Sequence, residues 1–232
     1  SYSTVSEAQY RYERKFVIEN CDLAQLEALI FAHPALFNEI YQGRFINNIY
    51  LDSYNYQAYY DNVTGVSERR KFRLRWYGDS FREAINPSLE VKCKKAEVGT
   101  KLVYNLPSFT LENAITIDSL LSDMRADNLP EEINCTLNML QFSFINRYYR
   151  RYYRSADGRY RLTLDSKLAY AVVDSCRITL PVKWDRPPKL ILELKYDRSD
   201  NADADRISNF FQYRLSKSSK YISGIERWAG IL

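Results

Sequence analysis

The chain is poor in histidine, and its cysteines are not arranged for metal binding. His33 is the single histidine among 232 residues, so Ser-His-Asp catalysis would depend on that residue alone. It precedes Pro34 at the end of a helical pattern, where we expect a structural role at the helix terminus or on the surface. The four cysteines are far apart, at Cys21, Cys93, Cys135 and Cys176. No C-x-x-C pair occurs, which argues against a zinc site and a disulfide framework.

Long apolar runs and linker-like segments are also absent from this sequence. No run approaches the roughly 20 apolar residues that span a bilayer, and no segment has the pattern of a signal peptide. We therefore expect a cytoplasmic protein without a membrane segment. No Pro/Gly/Ser-rich linker divides the chain, which predicts a single domain over residues 1–232. The formal net charge is only +4 and the basic residues form no stripe of a known motif, so we expect no nucleic-acid partner.

Charged residues instead follow a period of two on several predicted strands. Lys71, Arg73 and Arg75 fall on one face of an extended segment, and Phe72, Leu74 and Trp76 fall on the other. The same alternation recurs around Glu13 and Lys15, Glu90 and Lys92, Arg161, Thr163 and Asp165, and Glu193 and Lys195. One such strand usually marks the solvent face of a half-buried sheet.

The faces opposite these charges are strongly apolar, which changes the interpretation. They carry Leu89, Val91 and Cys93, then Leu162 and Leu164, then Leu190, Leu192 and Leu194. If helices cover these faces from outside, the charged faces line an enclosed interior. The sequence thus predicts an α+β fold: a mainly antiparallel β-barrel of about eight strands that forms a tunnel with a charged lumen, with helices packed outside.

The predicted elements follow from periodicity and turn residues. Asp22 is the expected N-cap of the first helix, and Asp157-Gly158 is the expected turn of a hairpin. The predicted strands are 10–18, 45–51, 67–77, 89–95, 144–154, 159–167, 176–182 and 190–196. The other predicted helices are 110–125, 131–140 and 203–213, with a short helical or turn segment at 55–60.

Crowded cationic groups in an enclosed interior repel one another and require a polyanion. Arginine and lysine groups match phosphate oxygens. Carboxylates in the same lumen are useful beside phosphate when they hold a divalent cation that bridges to it.

The order of the charged segments resembles the VTC domain, the polyphosphate polymerase domain of the triphosphate tunnel (CYTH-like) superfamily. The matching segments are Glu13-Arg14-Lys15-Phe16, Phe72-Arg73-Leu74-Arg75-Trp76-Tyr77, Leu89-Glu90-Val91-Lys92, Gly99-Thr100-Lys101, Tyr149-Arg150-Arg151-Tyr152-Tyr153, Arg161-Leu162-Thr163-Leu164-Asp165, Ile191-Leu192-Glu193-Leu194-Lys195 and Ser216-Lys217-Ser218-Ser219-Lys220-Tyr221. Each segment is a weak signal alone, and their common order makes the resemblance specific.

The resemblance implies roles for the matching positions. The implied phosphate-binding residues are Lys15, Arg73, Arg75, Lys92, Lys101, Arg150, Arg161 and Lys195 in the tunnel, with Lys217 and Lys220 near one mouth. Of these, Lys15, Arg73, Arg75, Lys92, Arg150 and Arg161 are expected to act in catalysis together with Glu193. Arg150 is preferred to Arg151 by strand parity, although a one-residue slip would reverse that choice.

The same resemblance implies a metal site for Mn²⁺ or Mg²⁺. Glu193 is the expected main ligand. Glu13 and Glu90 also face inward by parity, and they either assist the metal or pair with neighbouring lysines. Asp165 is a weaker metal candidate, with an arginine partner or a strand-end cap as its alternative.

The function implied is a metal-dependent polyphosphate polymerase that uses ATP. A hydrolase of inorganic triphosphate or nucleoside triphosphates is the alternative enzyme, and a non-catalytic polyphosphate-binding module is the third hypothesis. Related tunnel hydrolases carry E-x-E-x-K on the first strand, whereas Arg11 stands here at the first glutamate position, which favours the polymerase. The expected ligands are ATP, polyphosphate, and pyrophosphate or triphosphate.

Eukaryotic relatives carry an SPX regulatory domain and transmembrane helices, and neither is recognised in this sequence. The resemblance therefore implies a stand-alone, bacterial version of the domain. Such a version would leave its product in the cytosol or work with a separate membrane or regulatory partner.

Overall fold

The computed structural model describes residues 11–55, 57–95, 98–124 and 129–216. Its strands are β1 (Arg11–Glu19), β2 (Asn38–Asp52), β3 (Glu68–Tyr77), β4 (Glu83–Ala84), β5 (Ser88–Lys95), β6 (Val98–Asn105), β7 (Phe109–Thr110), β8 (Gln141–Arg154), β9 (Tyr160–Val172), β10 (Lys189–Asp197) and β11 (Leu215–Ser216). The helices are α1 (Leu23–Ala32), α2 (Gln57–Thr64), α3 (Ile117–Met124), α4 (Glu131–Leu137) and α5 (Ala204–Ser208).

Eight of these strands close into a ring in which every neighbouring pair is antiparallel. The order is β10-β9-β8-β2-β3-β5-β6-β1, and β1 pairs with β10 to complete the circle. β11 joins the edge of β1 at Lys15 and Phe16, while β4 and β7 form a separate two-stranded sheet. The predicted α+β class with a mainly antiparallel, closed sheet is confirmed.

Alternation along the strands places apolar side chains outside the ring, where the helices cover them. Phe16 of β1 and Leu192 of β10 are buried in a cluster with residues of α1 and α5. Trp76 of β3 and Val91 of β5 are buried in a second cluster with residues of α3 and α4. Because successive strand residues point to opposite faces, the charged positions between these apolar ones face the interior.

Helix α1 begins and ends as local chemistry predicts. Asp22 forms a capping box at its start. His33 is the C-cap of this helix, which confirms the expected position at the helix terminus. The residue is only 2% exposed, so the alternative of a surface position is wrong. Its Nδ1 accepts a hydrogen bond from the Ala35 backbone N–H at 2.9 Å. The ring therefore carries its proton on Nε2, which donates to the carbonyl oxygen of Ile207 at 2.9 Å.

One predicted strand is wrong, and another strand was not predicted. Residues 176–182 form no strand, because Ser175 and Cys176 adopt φ values of 52° and 60° and Pro181 has no N–H to donate. Ile178 alone pairs there, in an isolated bridge to Ile115. The eighth strand of the ring is β6 instead. It was not predicted because Gly99, at its second position, resembles the end of a strand in the sequence.

The helices are shorter than their apolar periodicity indicates. Thr110 lies in β7, seven residues before α3 begins, and α5 contains only Ala204–Ser208 of the predicted 203–213. Among the described residues, no helix combines the length and apolar character that a membrane crossing requires.

The interior of the ring is not charged throughout. A buried apolar cluster consists of Ile46, Tyr50, Tyr59, Phe144, Tyr148, Leu168, Tyr170 and Ile191. The strand members of this cluster occupy inward-facing positions of β2, β8, β9 and β10, as their cross-strand pairs show. Tyr59 is contributed by α2, which connects β2 to β3. Apolar packing therefore fills part of the interior beside α2, and the charged lining occupies the rest.

Candidate active site

Strands β1 and β10 bring two carboxylates and two ammonium groups together on the inner face. Lys15 pairs with Glu193 across the strands, and Glu13 pairs with Lys195. The Lys15 Nζ is 3.6 Å from Glu193 Oε1. The Lys195 Nζ lies 3.8 Å from a carboxylate oxygen of each glutamate. Lys92 of β5 reaches the same group, with its Nζ 3.3 Å from Glu13 Oε2.

A second group forms around the buried carboxylate of Glu90 on β5. Arg73 donates from Nε to Glu90 Oε2 at 2.7 Å, and its Nη2 is 2.6 Å from the same oxygen. Arg75 Nη1 is 3.8 Å from that oxygen. Lys101 of β6 donates to the other oxygen, Oε1, at 3.3 Å. One carboxylate thus holds three basic side chains in fixed positions along the wall.

Arg150 of β8 forms a bidentate ion pair with Asp165 of β9. Arg150 Nε donates to Asp165 Oδ1 at 2.7 Å, and Nη2 donates to Oδ2 at 2.9 Å. Asp165 is completely buried, so both of its oxygens are committed to this arginine. The next residue, Arg151, is half-buried and pairs instead with Glu27 of α1 outside the ring. The parity argument for Arg150 as the inward-facing arginine is confirmed.

Neutral polar groups continue the inner wall between the charges and the apolar cluster. Arg75 Nε donates to Asn48 Oδ1 at 2.8 Å, and its Nη2 donates to the Tyr148 hydroxyl at 2.9 Å. Asn48 in turn donates to Asn146 Oδ1 at 2.8 Å. Two buried atoms of this wall, Asn146 Nδ2 and Thr163 Oγ1, have no hydrogen-bond partner among the described residues. Such donors are satisfied when a ligand supplies acceptor oxygens.

Sequence reasoning omitted one basic residue from the candidate site, although it placed that residue on the correct face. Lys71 lies on the inner face of β3 and pairs across the sheet with Lys92. It makes no ion pair with an acidic residue of the described ranges. Its two-residue offset from Arg73 was the available signal. Arg161 of β9 is exposed and is the cross-strand partner of Lys195. The predicted mouth residues Lys217 and Lys220 lie outside the described residues.

Electrostatics keep the carboxylates of Glu13 and Glu90 ionised. Burial raises the pKa of Glu13, but the ammonium groups of Lys195 and Lys92 outweigh burial and lower that pKa to about 2. Burial also raises the pKa of Glu90, yet Arg73 and Arg75 hold it well below its usual range. Both side chains are therefore anionic near neutral pH and weak as proton acceptors.

The pKa values of the interior lysines are lowered as well, but for these groups a lower pKa favours the neutral form, because burial disfavours the ammonium charge. Burial, followed by repulsion from Lys92 and Lys15, lowers the pKa of Lys71 well below its usual value. Burial also lowers the pKa of Lys195. For Lys101, burial and the nearby guanidinium groups outweigh the attraction of Glu90 and lower the pKa to about 8. The lining has fewer acidic than basic side chains, and its lysines can take up protons when an anion binds.

The comparison with known families matches this arrangement. The model of the VTC domain matches residues 10–229, which include every strand of the ring. The chain belongs to the VTC domain family. Membership in this family places the chain among the triphosphate tunnel enzymes, which act on phosphates with a divalent metal ion. A search of curated proteins finds no match.

Solved structures similar to this VTC domain share its fold at low sequence identity. A candidate adenylate cyclase from Vibrio parahaemolyticus is 11% identical with a TM-score of 0.50, and the alignment covers 93% of this chain and 97% of that one. A protein from Hippeastrum, described as a candidate adenylyl cyclase with a dominant triphosphatase activity, is 12% identical with a TM-score of 0.50 and 96% coverage of both chains. A candidate adenylate cyclase from Bacillus halodurans is 11% identical with a TM-score of 0.51, covering 91% and 95%.

The carboxylates of Glu13 and Glu193 fit a divalent metal ion whose remaining ligands include phosphate oxygens of the substrate. The described part of the chain contains no group of three or more His, Cys, Asp or Glu side chains arranged for a metal. Glu193 and Glu13 nevertheless lie close together, because each has a carboxylate oxygen 3.8 Å from the Lys195 ammonium group. Mg²⁺-type sites commonly use one or two carboxylates together with substrate phosphates. The lysine contacts of Glu13 and Glu193 are 3.3 to 3.8 Å long. Glu90 and Asp165 instead accept hydrogen bonds of 2.7 Å from Arg73 and Arg150, which commits them to these arginines.

Proposed function

We propose that this VTC domain is a polyphosphate polymerase that transfers the γ-phosphate of ATP to a growing polyphosphate chain. The support is the convergence of lysine and arginine groups from β1, β3, β5, β6, β8 and β10 on one interior. Planar guanidinium groups bind phosphate oxygens in pairs, and ammonium groups bind them as point charges. An interior that carries more basic than acidic side chains is suited to a polyanion.

In the proposed reaction, a terminal phosphate oxygen of the chain attacks the γ-phosphorus of ATP. A new P–O bond forms, the bond from the γ-phosphorus to the bridging oxygen breaks, and that oxygen leaves as part of ADP. Arg73, Arg75 and Arg150 are fixed by their carboxylate or amide partners, so they can hold phosphate oxygens without reorganising. Glu193 and Glu13 would hold the divalent ion, which when bound supplies further neutralisation of phosphate charge.

The observation that favours transfer to phosphate over transfer to water is the state of the interior carboxylates. Glu13, Glu90, Asp165 and Glu193 each contact at least one basic side chain. The basic neighbours lower the pKa values of Glu13 and Glu90 despite burial, so these two carboxylates are poor bases for activating water. A phosphate chain is already an anionic nucleophile and requires neutralisation and alignment rather than a base.

Hydrolysis of triphosphate or nucleoside triphosphates is the second candidate, and the apolar cluster beside α2 is the observation in its favour. While Tyr59, Tyr170 and their neighbours fill that part of the interior, the charged part resembles a pocket more than an open passage. A short phosphate needs only a pocket, whereas a long chain needs an exit.

The test is incubation with ATP and Mn²⁺, with products analysed by phosphorus NMR and gel electrophoresis. We expect polyphosphate and ADP. Glu193→Gln should lower turnover by on the order of 100-fold, because it weakens the site for the divalent ion that would neutralise the transferring phosphate, and should leave tripolyphosphate binding within about fivefold. Glu19→Gln is the matched control, since Glu19 pairs with Lys189 near the other end of β1 and is largely exposed.

Three other outcomes would each contradict part of this proposal. Orthophosphate without chains would support the hydrolase. Tight tripolyphosphate binding without turnover would support the binding module. Full activity in Glu193→Gln would show that the metal assignment is wrong.

A further inference from the structure

Three tyrosines and an arginine form a contiguous group that the phosphate chemistry does not use. We call Tyr41, Arg44, Tyr77 and Tyr152 the mouth cluster. The Arg44 guanidinium carbon lies 3.6 Å from the centroid of the Tyr77 ring and 5.4 Å from that of Tyr152. Arg44 Nε also donates to the Tyr152 hydroxyl at 3.0 Å. Tyr41 meets Tyr152 edge-to-face with the ring centroids 5.8 Å apart.

Strand geometry places this cluster directly beyond the basic interior. Tyr77 follows Arg75 by two residues on β3, and Tyr152 follows Arg150 by two residues on β8. Side chains two residues apart on a strand share a face and are separated by roughly 6.5 Å. Arg75 and Arg150 are 5% and 7% exposed, whereas Tyr77 is 39% and Tyr41 is 65% exposed. The inner wall therefore opens to solvent where its lining changes from arginine to tyrosine.

The chemistry of the cluster fits a flat, neutral, aromatic group rather than more phosphate. Arg44 makes no ion pair with an acidic residue of the described ranges, and its guanidinium group lies against the rings of Tyr77 and Tyr152 instead. Guanidinium planes and phenol rings stack on heteroaromatic bases, and this stacking tolerates any base because each base has a π-face. The exposed tyrosines keep such faces accessible while their packing limits the entropy lost on binding.

We propose that the mouth cluster binds the nucleobase of a nucleoside triphosphate whose phosphates lie in the basic interior. This inference rests on the proposed use of ATP as phosphate donor. Stacking without base-edge hydrogen bonds further implies weak discrimination between adenine and guanine.

The test compares two ligands that share phosphates and differ in the base. Calorimetry measures the affinity of a non-hydrolysable ATP analogue and of tripolyphosphate for wild type, Tyr41→Leu, Tyr77→Leu and Arg44→Lys. We expect the ATP analogue to bind at least about fivefold more weakly to each variant, in line with the known contribution of one stacked base. Tripolyphosphate affinity should stay within about twofold, since the phosphate contacts remain. Arg44→Lys keeps the charge and removes only the planar group.

Tyr54→Leu is the control, because Tyr54 is 84% exposed and lies in the segment between β2 and α2. Thermal unfolding of every variant checks that the fold is retained. Unchanged affinity for the ATP analogue, or an equal loss for tripolyphosphate, would overturn the proposal. A selective loss for the ATP analogue in a protein that makes no polyphosphate would leave the base site standing and refute only the polymerase.

Discussion

At the scale of single residues, the candidate site depends on how each basic group is balanced. Arg73, Arg75 and Arg150 are held by buried acceptors, whereas burial lowers the pKa values of Lys71, Lys101 and Lys195. The arginines therefore provide fixed charge, and the lysines provide charge that depends on what is bound. This difference follows from the guanidinium group, which keeps its proton where an ammonium group releases it.

Lys101 gives a pH prediction with a defined sign. Its pKa is lowered to about 8, so its positive charge is present below that pH and is lost as pH rises through it. A bound polyanion favours the charged form and raises the pKa again. We predict proton uptake when tripolyphosphate binds near pH 8, together with weaker binding above pH 8. Calorimetry in buffers of different ionisation enthalpy measures the uptake.

Lys101→Arg is the matched variant, because arginine keeps the charge without titrating. Uptake near pH 8 should decrease in this variant, and its affinity should fall less steeply above pH 8. Equal uptake in both proteins would contradict the assignment to Lys101.

Residue-level prediction from the sequence succeeded where parity alone decides the direction of a side chain. Arg150 rather than Arg151 faces inward because its neighbours on β9 and β2 fix the register. Sequence gave no signal for the Asn48–Asn146–Tyr148 network or for the exposed tyrosines at the mouth. Their importance comes from neighbours on other strands, which a single chain pattern does not reveal.

At the scale of elements, the strongly alternating strands were predictable and the irregular segments were not. β3, β5 and β10 match their predicted ranges to within a residue or two. The predicted number of ring strands is correct only because two errors cancel. The predicted strand 176–182 does not form, and β6 was not predicted. Apolar spacing overestimated α3 and α5, because part of that apolar surface packs against the ring without helical backbone.

Helix α2 offers a prediction at this scale. Asp52 at the end of β2 is 2% exposed, and its carboxylate accepts hydrogen bonds from the backbone N–H groups of Ala58 and Tyr59 in the first turn. Asp52→Ala removes both acceptors, so we expect a loss of about 1 kcal/mol in the free energy of unfolding. Urea unfolding measures that loss, and hydrogen exchange across residues 57–64 should accelerate.

The control for Asp52 is Asp61→Ala. Asp61 accepts a hydrogen bond from the Gln57 side chain on the surface of the same helix, so its removal should change stability by less than about 0.5 kcal/mol. If both variants behave alike, the buried carboxylate does not anchor α2.

At the scale of the whole molecule, one ring performs two tasks with its two faces. Its outer face carries the apolar clusters that bind the helices, and its inner face carries the charges. The apolar outer faces allowed the closed sheet to be inferred from sequence. The apolar cluster inside the ring was not inferred, because Ile46, Phe144, Leu168 and Tyr170 read as ordinary core residues until the topology shows which face they occupy.

The central claim is that the group attacking ATP in this interior is phosphate rather than water. The most direct measurement runs the reaction with ATP and Mn²⁺ in 18O-labelled water and follows the isotope shift of each product by phosphorus NMR. Transfer to phosphate predicts polyphosphate that contains no solvent oxygen at its newly joined units. Orthophosphate that carries a solvent oxygen, formed as fast as ADP and without chains, would contradict the claim.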